Sequence, residues 1–395
     1  MYNIVFFCIP AQGHTNPTLG VVRELISMGH QVWYYSFDIM KEKIESTGAK
    51  YISCDKYCSE CFVTATDGKR ISKDLGFSSK VIVDTTLALD DMICQDMKKI
   101  KPDCIVADSM ALWGRAAAMK LNIPFVSSTT TFAFNKYSSR IMKHSFKDTV
   151  NMLFSIPKVN MQIKRLRKNG YPIKNILDII GNNNETDTIV YTSRMFQPCS
   201  NSFSDRYAFV GPSVRPPEKA IEKKREKLIY ISMGTVNNDM LLLYQNCLRA
   251  FKDTYFQVIM SVGDTTDIDK LGKIPENISV FNEVDQMAVL EKADVFISHC
   301  GMNSVNESLY FGVPLIMLPQ TGEQFGVASR VNQLEAGIML DNTRPGSIFN
   351  AVKKIFSQKK YKENAKKISE DFKKCPGALG AANKIIEVCK EKEQV

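Results

Sequence analysis

Two short stretches carry side chains whose types and spacing suit chemistry. In Pro10-Ala11-Gln12-Gly13-His14-Thr15-Asn16-Pro17 a histidine follows the first apolar run of the chain. Gly13 permits an unusual backbone angle, and Asn16-Pro17 reads as a helix cap with a first-turn proline, leaving His14 on a short loop. An imidazole titrates near working pH and takes a proton from a hydroxyl when a partner fixes its tautomer. Asp108, after the apolar run Cys104-Ile105-Val106-Ala107, is the candidate partner, as in the histidine–aspartate half of a hydrolytic triad. A loop-capping histidine and a helix-capping aspartate are the alternative readings.

The second stretch is Ser298-His299-Cys300-Gly301-Met302-Asn303-Ser304-Val305-Asn306-Glu307. It lies where an apolar strand passes into a helix, so unbonded backbone N–H groups and the positive helix end point at one spot, an arrangement that binds phosphate. Gly301 lets an anion approach the backbone, and His299, Asn303 and Ser304 add donors. Glu307, one turn on, has two oxygens to offer two hydroxyls of a ribose. Ser232-Met233-Gly234-Thr235 is a parallel donor loop, and Glu323-Gln324 follow a later strand with polar groups suited to sugar hydroxyls.

The elements that must position these groups alternate in βαβ grammar. Strands are expected at Asn3–Ile9, Gln31–Phe37, Asp103–Ala107, Pro124–Ser128 and Thr188–Thr192, with helices at Pro17–Met28 and Trp113–Leu121. Three prolines and a charged run through residues 211–227 have linker composition. The alternation then resumes with strand Leu228–Ser232, helix Met240–Lys252, strands Gln257–Val262 and Ile278–Phe281, and helix Gln286–Lys292. Strand Val295–Ser298, helix Asn303–Phe311 and strand Pro314–Leu318 complete it. The expected architecture is α/β: two Rossmann-like doubly wound domains facing a cleft. The first spans 1–212, the linker 213–227 and the second domain 228–375, and a helix in 376–395 packs back on the first. In such open sheets ligands bind beyond the carboxyl ends of the strands, where all three polar clusters of the second half fall.

Composition narrows the classes. Of 395 residues, 44% are hydrophobic and 24% charged, which suits a globular chain and not a disordered one. The net charge of +9 is spread along the sequence, favouring an acidic ligand without pointing to nucleic acid. Eleven cysteines, an odd number in a long chain, argue for a reducing cytosol. The opening Met1-Tyr2-Asn3-Ile4-Val5-Phe6-Phe7 reads as a strand and not a signal peptide, and no apolar run has the length of a membrane span. A cytoplasmic protein is expected.

His299-Cys300-Gly301-x-Asn303-Ser304-x-x-Glu307, followed by Pro319 and Glu323-Gln324, resembles the donor-binding signature of family 1 nucleotide-sugar glycosyltransferases. Gly13-His14-x-Asn16-Pro17 is similar to their bacterial macrolide- and flavonoid-modifying branch. The resemblance is collinear over nearly the whole chain. It implies the GT-B fold, with acceptor bound by the first domain and donor by the second, and inversion at the anomeric centre with neither metal nor other cofactor. Carried over by position, His14 is the general base and Asp108 its orienter. Ser232, Gly234, Thr235, His299, Gly301, Asn303 and Ser304 hold the diphosphate, Glu307 the ribose, and Glu323 and Gln324 the sugar. One departure stands out: Glu283-Val284-Asp285-Gln286 occupies the place of an aromatic-led segment that stacks on the base. Val284 still offers backbone groups and Gln286 its amide, but Glu283 cannot stack, and Phe281 lies nearby.

The expected partners are therefore a UDP-sugar, with glucose as the sugar, and a small hydrophobic hydroxylated acceptor such as a phenolic, flavonoid or macrolide. Three other readings remain open. One is a glycolipid synthase whose basic segment within 135–184 (Lys164, Arg165, Arg167 and Lys168 beside Met142, Met152, Leu153 and Phe154) rests on a membrane; a solvated helical face is the plainer account of that segment. The others are a UDP-sugar epimerase and a non-catalytic nucleotide-sugar-binding protein. Cys54-x-x-x-Cys58-x-x-Cys61 has iron–sulfur spacing, but Glu60 and the doubly wound pattern favour unpaired thiols. Asp267-Ile268-Asp269 sits in a polar loop and reads as solvated, and His30 and His144 as structural or exposed. No Gly-x-Gly-x-x-Gly or P-loop pattern supports nicotinamide or ATP chemistry.

Overall fold

Strand and helix alternate as the apolar pattern predicts, in a computed structural model that describes residues 1–57, 74–135, 137–138, 146–175, 184–235 and 238–393, without the side chains of 146–154 and 392–393. Cys58, Cys61, Met142 and His144 lie outside the described residues, as do the side chains of Met152, Leu153 and Phe154. The chain divides into two units. One contains the described residues up to Ser213 together with the segment from Cys375 onward, and the other is Val214–Lys374.

In the first unit, strands β1 (Asn3–Phe7), β2 (Gln31–Ser36), β3 (Lys50–Ser53), β4 (Cys104–Asp108), β5 (Phe125–Thr129), β6 (Asp187–Val190) and β7 (Tyr207–Phe209) form one sheet in the order β3-β2-β1-β4-β5-β6-β7. Every described pairing in it is parallel. Its helices are α1 (Gln12–Ser27), α2 (Lys41–Glu45), α3 (Leu75–Ile100), α4 (Leu112–Leu121), α5 (Phe146–Lys168) and the C-terminal helix, labelled α12 below. A parallel sheet is covered on both faces, so its strands are apolar at consecutive positions, not alternate ones. Ile4 and Phe6 join one core with Cys104, Val106 and the α1 residues Val22 and Leu25, while Val5 and Phe7 join the other with Ile105, Leu89 and Trp113. Ring stacking follows the register: Phe6 lies beside Tyr34 at 5.5 Å and Phe7 beside Tyr35 at 4.8 Å between centroids.

In the second unit, β8 (Leu228–Ser232), β9 (Gln257–Ser261), β10 (Ile278–Phe281), β11 (Val295–Ser298), β12 (Leu315–Met317) and β13 (Gly337–Met339) pair in parallel, in the order β10-β9-β8-β11-β12-β13. Helices α6 (Leu241–Phe251), α7 (Gln286–Lys292), α8 (Met302–Tyr310), α9 (Gly322–Gln333), α10 (Pro345–Ser357) and α11 (Lys360–Lys373) follow. The chain then returns to the first unit with α12 (Gly377–Glu393), whose Ala381, Ala382, Ile385, Val388 and Cys389 are buried in the same core as Ile4 and Val22. The amide of Gly377, in the left-handed region at φ +62°, donates to the Val210 carbonyl at 2.8 Å and fixes the start of this helix.

Both strand orders reverse direction once, between β1 and β4 in one sheet and between β8 and β11 in the other. At such a reversal the two adjoining loops leave in opposite directions and open a crevice at the carboxyl edge. At those strand ends stand His14, in the first turn of α1, Asp108, the last residue of β4, and Gly234 and His299, in the loops after β8 and β11.

Two local expectations are revised, at α1 and at the linker. Helix α1 begins at Gln12, five residues before the expected start, so His14 lies in its first turn and Asn16-Pro17 is not a cap. Pro17, inside the helix, forgoes the ladder bond to the Gly13 carbonyl and crowds that carbonyl with its ring, a local cost the helix carries. Residues 214–227, whose composition predicts a linker, are bonded to the second unit: Lys223 Nζ meets Asp294 at 2.6 Å and Arg225 donates to the Thr254 carbonyl at 2.7 Å. In α5, Val159, Ile163 and Leu166 are buried with residues of α3 and α4. Lys164, Arg167 and Lys168 are exposed, and Arg165 pairs with Asp84 at 2.7 Å. Among the described residues no helix is long and apolar enough to cross a membrane.

Candidate active site

In the first unit, α1 is anchored under its first turns by buried hydroxyls. Thr18 Oγ1 donates to the Thr15 carbonyl at 2.8 Å and lies 2.7 Å from the Tyr34 hydroxyl on β2. This holds His14 over the end of β4, where its Nδ1 is 2.8 Å from Asp108 Oδ2. The other carboxylate oxygen accepts from the Met110 amide at 2.9 Å. A carboxylate only accepts, so Nδ1 carries the proton and Nε2 keeps a lone pair. The Asp108 side chain is fully covered, whereas 26% of the His14 side chain is exposed. The imidazole is thus fixed through Nδ1 and partly exposed, features that suit a general base. Thr130 Oγ1 also lies 3.1 Å from His14 Nδ1.

In the second unit the loops after β8 and β11 interlock around His299. Cys300 has φ +67°, a left-handed conformation that costs a non-glycine residue about 1–2 kcal/mol and turns the chain sharply into α8. The Cys300 amide donates to Ser298 Oγ at 3.2 Å. A Cβ at Gly301 would stand 2.7 Å from His299 Nε2, and one at Gly234 (φ +79°) 2.5 Å from His299 Cε1. The ring therefore fits only because both neighbours are glycine. Asn238, buried, secures the Gly234 carbonyl at 3.0 Å, and Ser232 Oγ accepts from the Gly234 amide at 3.4 Å. Burial holds the His299 pKa down at about 4, so the ring is neutral at pH 7, and its buried Nδ1 has no hydrogen-bond partner among the described residues.

Helix α8 starts at Gly301 with no side-chain cap and no acidic residue in its first turn. A helix end of this kind, without a side-chain cap or an acidic first turn, is one at which anions bind. One turn in, Glu307 Oε2 accepts from the Gln286 amide, which also reaches Ser304 Oγ at 3.5 Å, while Tyr230 donates to Gln286 Oε1 at 3.1 Å. Burial raises the Glu307 pKa to about 7, against the pull of the Gln286 amide and the Arg215 guanidinium. Glu307, Gln286 and Ser304 thus form one bonded cluster at the head of α7 and α8.

The remaining expected residues are more loosely placed. Thr235 is exposed on the β8 loop and Asn303 is half-buried in the first turn of α8. Val284 is half-buried before α7, Glu283 is exposed, and Phe281 leaves 45% of its surface open at the end of β10. Gln324 is engaged in the fold itself. With Thr321 it forms a capping box on α9, its Oε1 accepting from the Thr321 and Gln320 amides at 3.2 and 2.7 Å. Glu323 is exposed in the same first turn, where the helix dipole favours a carboxylate. Asp267 caps a short 3₁₀ helix, and His30 stacks on Tyr2 and accepts from its amide at 3.1 Å. Among the described residues no group of three or more His, Cys, Asp or Glu is placed to hold a metal ion.

Comparison with known proteins gives the family and the fold. Residues 247–388 match the family described as erythromycin biosynthesis protein CIII-like, C-terminal domain. A Bacillus subtilis protein named as the uncharacterized UDP-glucosyltransferase YojK is 30% identical over 100% of this chain and 99% of its own length. The NDP-glycosyltransferase YjiC of the same organism is 32% identical over 97% of this chain and 96% of its own length. The chain belongs to the bacterial family 1 glycosyltransferases. The crystal structure of the kitacinnamycin glycotransferase has a TM-score of 0.85 to it at 25% identity, covering 98% of each chain, which makes the fold GT-B.

Two neighbours of the candidate site residues were not anticipated. Thr130 lies just beyond β5, and the hydroxyl run Ser127-Ser128-Thr129-Thr130-Thr131 at a strand end was the signal available. Tyr230 sits inside β8, where a buried aromatic reads as core, and only the hydroxyl bond to Gln286 reveals its second role.

Proposed function

We propose that the protein is an inverting glycosyltransferase that moves glucose from UDP-glucose to a hydroxyl of a small hydrophobic acceptor. In this reading His14 Nε2 takes the acceptor proton while the oxygen forms its bond to the anomeric carbon. The bond to the diphosphate breaks on the opposite face, and UDP leaves with the electron pair. Asp108 holds the tautomer and stabilises the imidazolium that forms. The amide end of α8, with Ser232, Thr235 and His299, meets the charge that develops on the diphosphate, a role in which fixed dipoles lower the barrier without reorganising. The Glu307 carboxylate accepts from two ribose hydroxyls, and Val284 and Gln286 approach the base.

The observation that carries the reading is the single imidazole fixed by a covered carboxylate at the reversal point of the first sheet. A one-step displacement needs one base and no protein nucleophile, and that pair supplies it. The name of the Bacillus relative YojK supports UDP-glucose as donor, and the likeness to the kitacinnamycin glycotransferase supports a natural-product acceptor. The test is to incubate the protein with UDP- and TDP-sugars against a panel of phenols, flavonoids and macrolides, with mass spectrometry of the products. A hexose adduct formed from UDP-glucose is expected. Donor hydrolysis or epimerisation with no adduct on any acceptor would remove the reading.

A further inference from the structure

Residues 215–219 lie over the N-terminus of α7, held by one carboxylate. Asp285 Oδ1 accepts from Arg215 Nη2 at 2.8 Å and from the Met287 amide at 3.2 Å. Its Oδ2 accepts from the Glu218 amide at 2.7 Å and the Lys219 amide at 3.4 Å. Burial by itself would raise the Asp285 pKa, but the Glu218 amide and the Arg215 guanidinium outweigh it and hold the carboxyl below its usual range. Asp285 is at once the cap of α7 and the anchor of the strap. The next residue in the chain is Gln286, whose amide bonds Glu307 and Ser304.

We propose that Arg215 is a positioning residue of the nucleotide subsite: through Asp285 it fixes the first turn of α7, and with it the Gln286 amide on Glu307 and Ser304. Its positive charge also favours the carboxylate form of Glu307, against the larger effect of burial. The ligand's identity rests on the glycosyl-transfer reading above; the positioning role rests on these contacts. Arg215 acts only through other side chains, so it is not a catalytic residue.

The charged and titratable groups facing Glu307 among the described residues are Arg215 from the strap and Tyr230 from β8, with the uncharged Gln286 from α7 and Ser304 on its own helix. Burial raises the Tyr230 hydroxyl far out of the neutral range, so it stays protonated. The Glu307 pKa is raised to about 7, and its ionised form, which accepts at both oxygens and donates nothing, holds two hydroxyls more strongly than the protonated form. Loss of the Arg215 charge therefore weakens nucleotide binding most around and below neutral pH.

The experiment is calorimetric titration of UDP into wild-type protein and the Arg215→Gln, Arg215→Lys and Glu218→Gln variants, from pH 6 to pH 9. UDP's own ionisation cancels in the ratio of variant to wild type at each pH. Arg215→Gln is expected to weaken UDP by about three- to tenfold at pH 6.5, with the deficit shrinking toward pH 9. Arg215→Lys keeps the charge but not the planar fork, so it restores the wild-type pH profile with part of the affinity still lost. Glu218→Gln binds close to wild type, because Glu218 reaches Asp285 through its backbone at 2.7 Å and its side chain meets Arg215 only in an exposed ion pair at 3.4 Å. Wild-type affinity in Arg215→Gln at every pH, or a loss independent of pH, overturns the proposal while leaving the transferase reading intact. Should Arg215→Gln fail to fold, Arg215→Lys decides: undiminished affinity overturns the positioning role. A wild-type protein that binds no nucleoside diphosphate overturns both.

Discussion

At the scale of single residues, the His14–Asp108 contact sets what each neighbour must do. In Asp108→Asn the side-chain carbonyl is drawn to the Met110 amide, which leaves the NH₂ facing His14 Nδ1. An NH₂ donates, so Nδ1 must give up its proton to Nε2, and the base is lost from the reacting side. Transfer should fall by about 10²-fold or more. Thr130→Val removes only a second, longer contact to the same nitrogen, so the loss should stay within about tenfold. Initial rates of both variants at saturating donor check this ordering. Equal losses would mean that Asp108 acts through packing alone. The pair was legible in the sequence because both residues follow apolar runs and so must emerge at one edge of a sheet. Thr130 was not, since hydroxyl residues at strand ends most often cap or turn.

At the scale of elements, the donor loops depend on glycine and the first core depends on the last helix. Gly234→Ala places a methyl 2.5 Å from the His299 ring at a positive φ, so the β8 loop must move away from α8. UDP affinity should drop by about tenfold or more, at a cost of roughly 1–3 kcal/mol in stability. Ile385 on α12 is fully buried against the first sheet, and Ile385→Ala should cost about 2–5 kcal/mol in a denaturant titration. A loss near zero would mean that α12 is only loosely seated. Sequence pattern placed β8, β10, β11 and α7 at their observed bounds because their apolar runs are ended by polar or turn residues on both sides. It missed β3, β7 and β13, strands of three or four residues too short to carry a period. It also started α1 late, because Pro17 reads as a first-turn residue although the helix tolerates it one turn further in.

At the scale of the whole molecule, two half-buried but desolvated groups give stability opposite dependences on pH. Glu307 has a folded pKa of about 7 against 4.5 when exposed, so the folded chain keeps a proton that the unfolded chain releases, and stability falls as pH rises through that window. His299 has a folded pKa of about 4 against 6.5, so the folded chain refuses a proton that the unfolded chain takes, and stability falls as pH drops through that window. The two slopes oppose each other between about pH 4.5 and 6.5. Glu307→Gln should therefore be more stable than wild type at pH 8 by on the order of 2 kcal/mol, and equal to it at pH 4. Between those limits its melting temperature should fall on acidification more steeply than the wild-type protein's. Thermal melts across that range check the sign, and a variant less stable than wild type at pH 8 would show that Glu307 is not strained in the free protein. The stability gained should come with lost UDP binding, since an amide cannot accept from two ribose hydroxyls as a carboxylate does.

The central claim is that one imidazole on α1 drives transfer while the nucleotide is gripped elsewhere. Its most direct test compares wild type with His14→Ala in two numbers, the dissociation constant for UDP and the single-turnover rate of glucose transfer to an accepted phenol. An unchanged dissociation constant is expected, with a rate lower by about 10²–10⁴-fold. A variant that binds UDP normally and transfers glucose at the wild-type rate would contradict it.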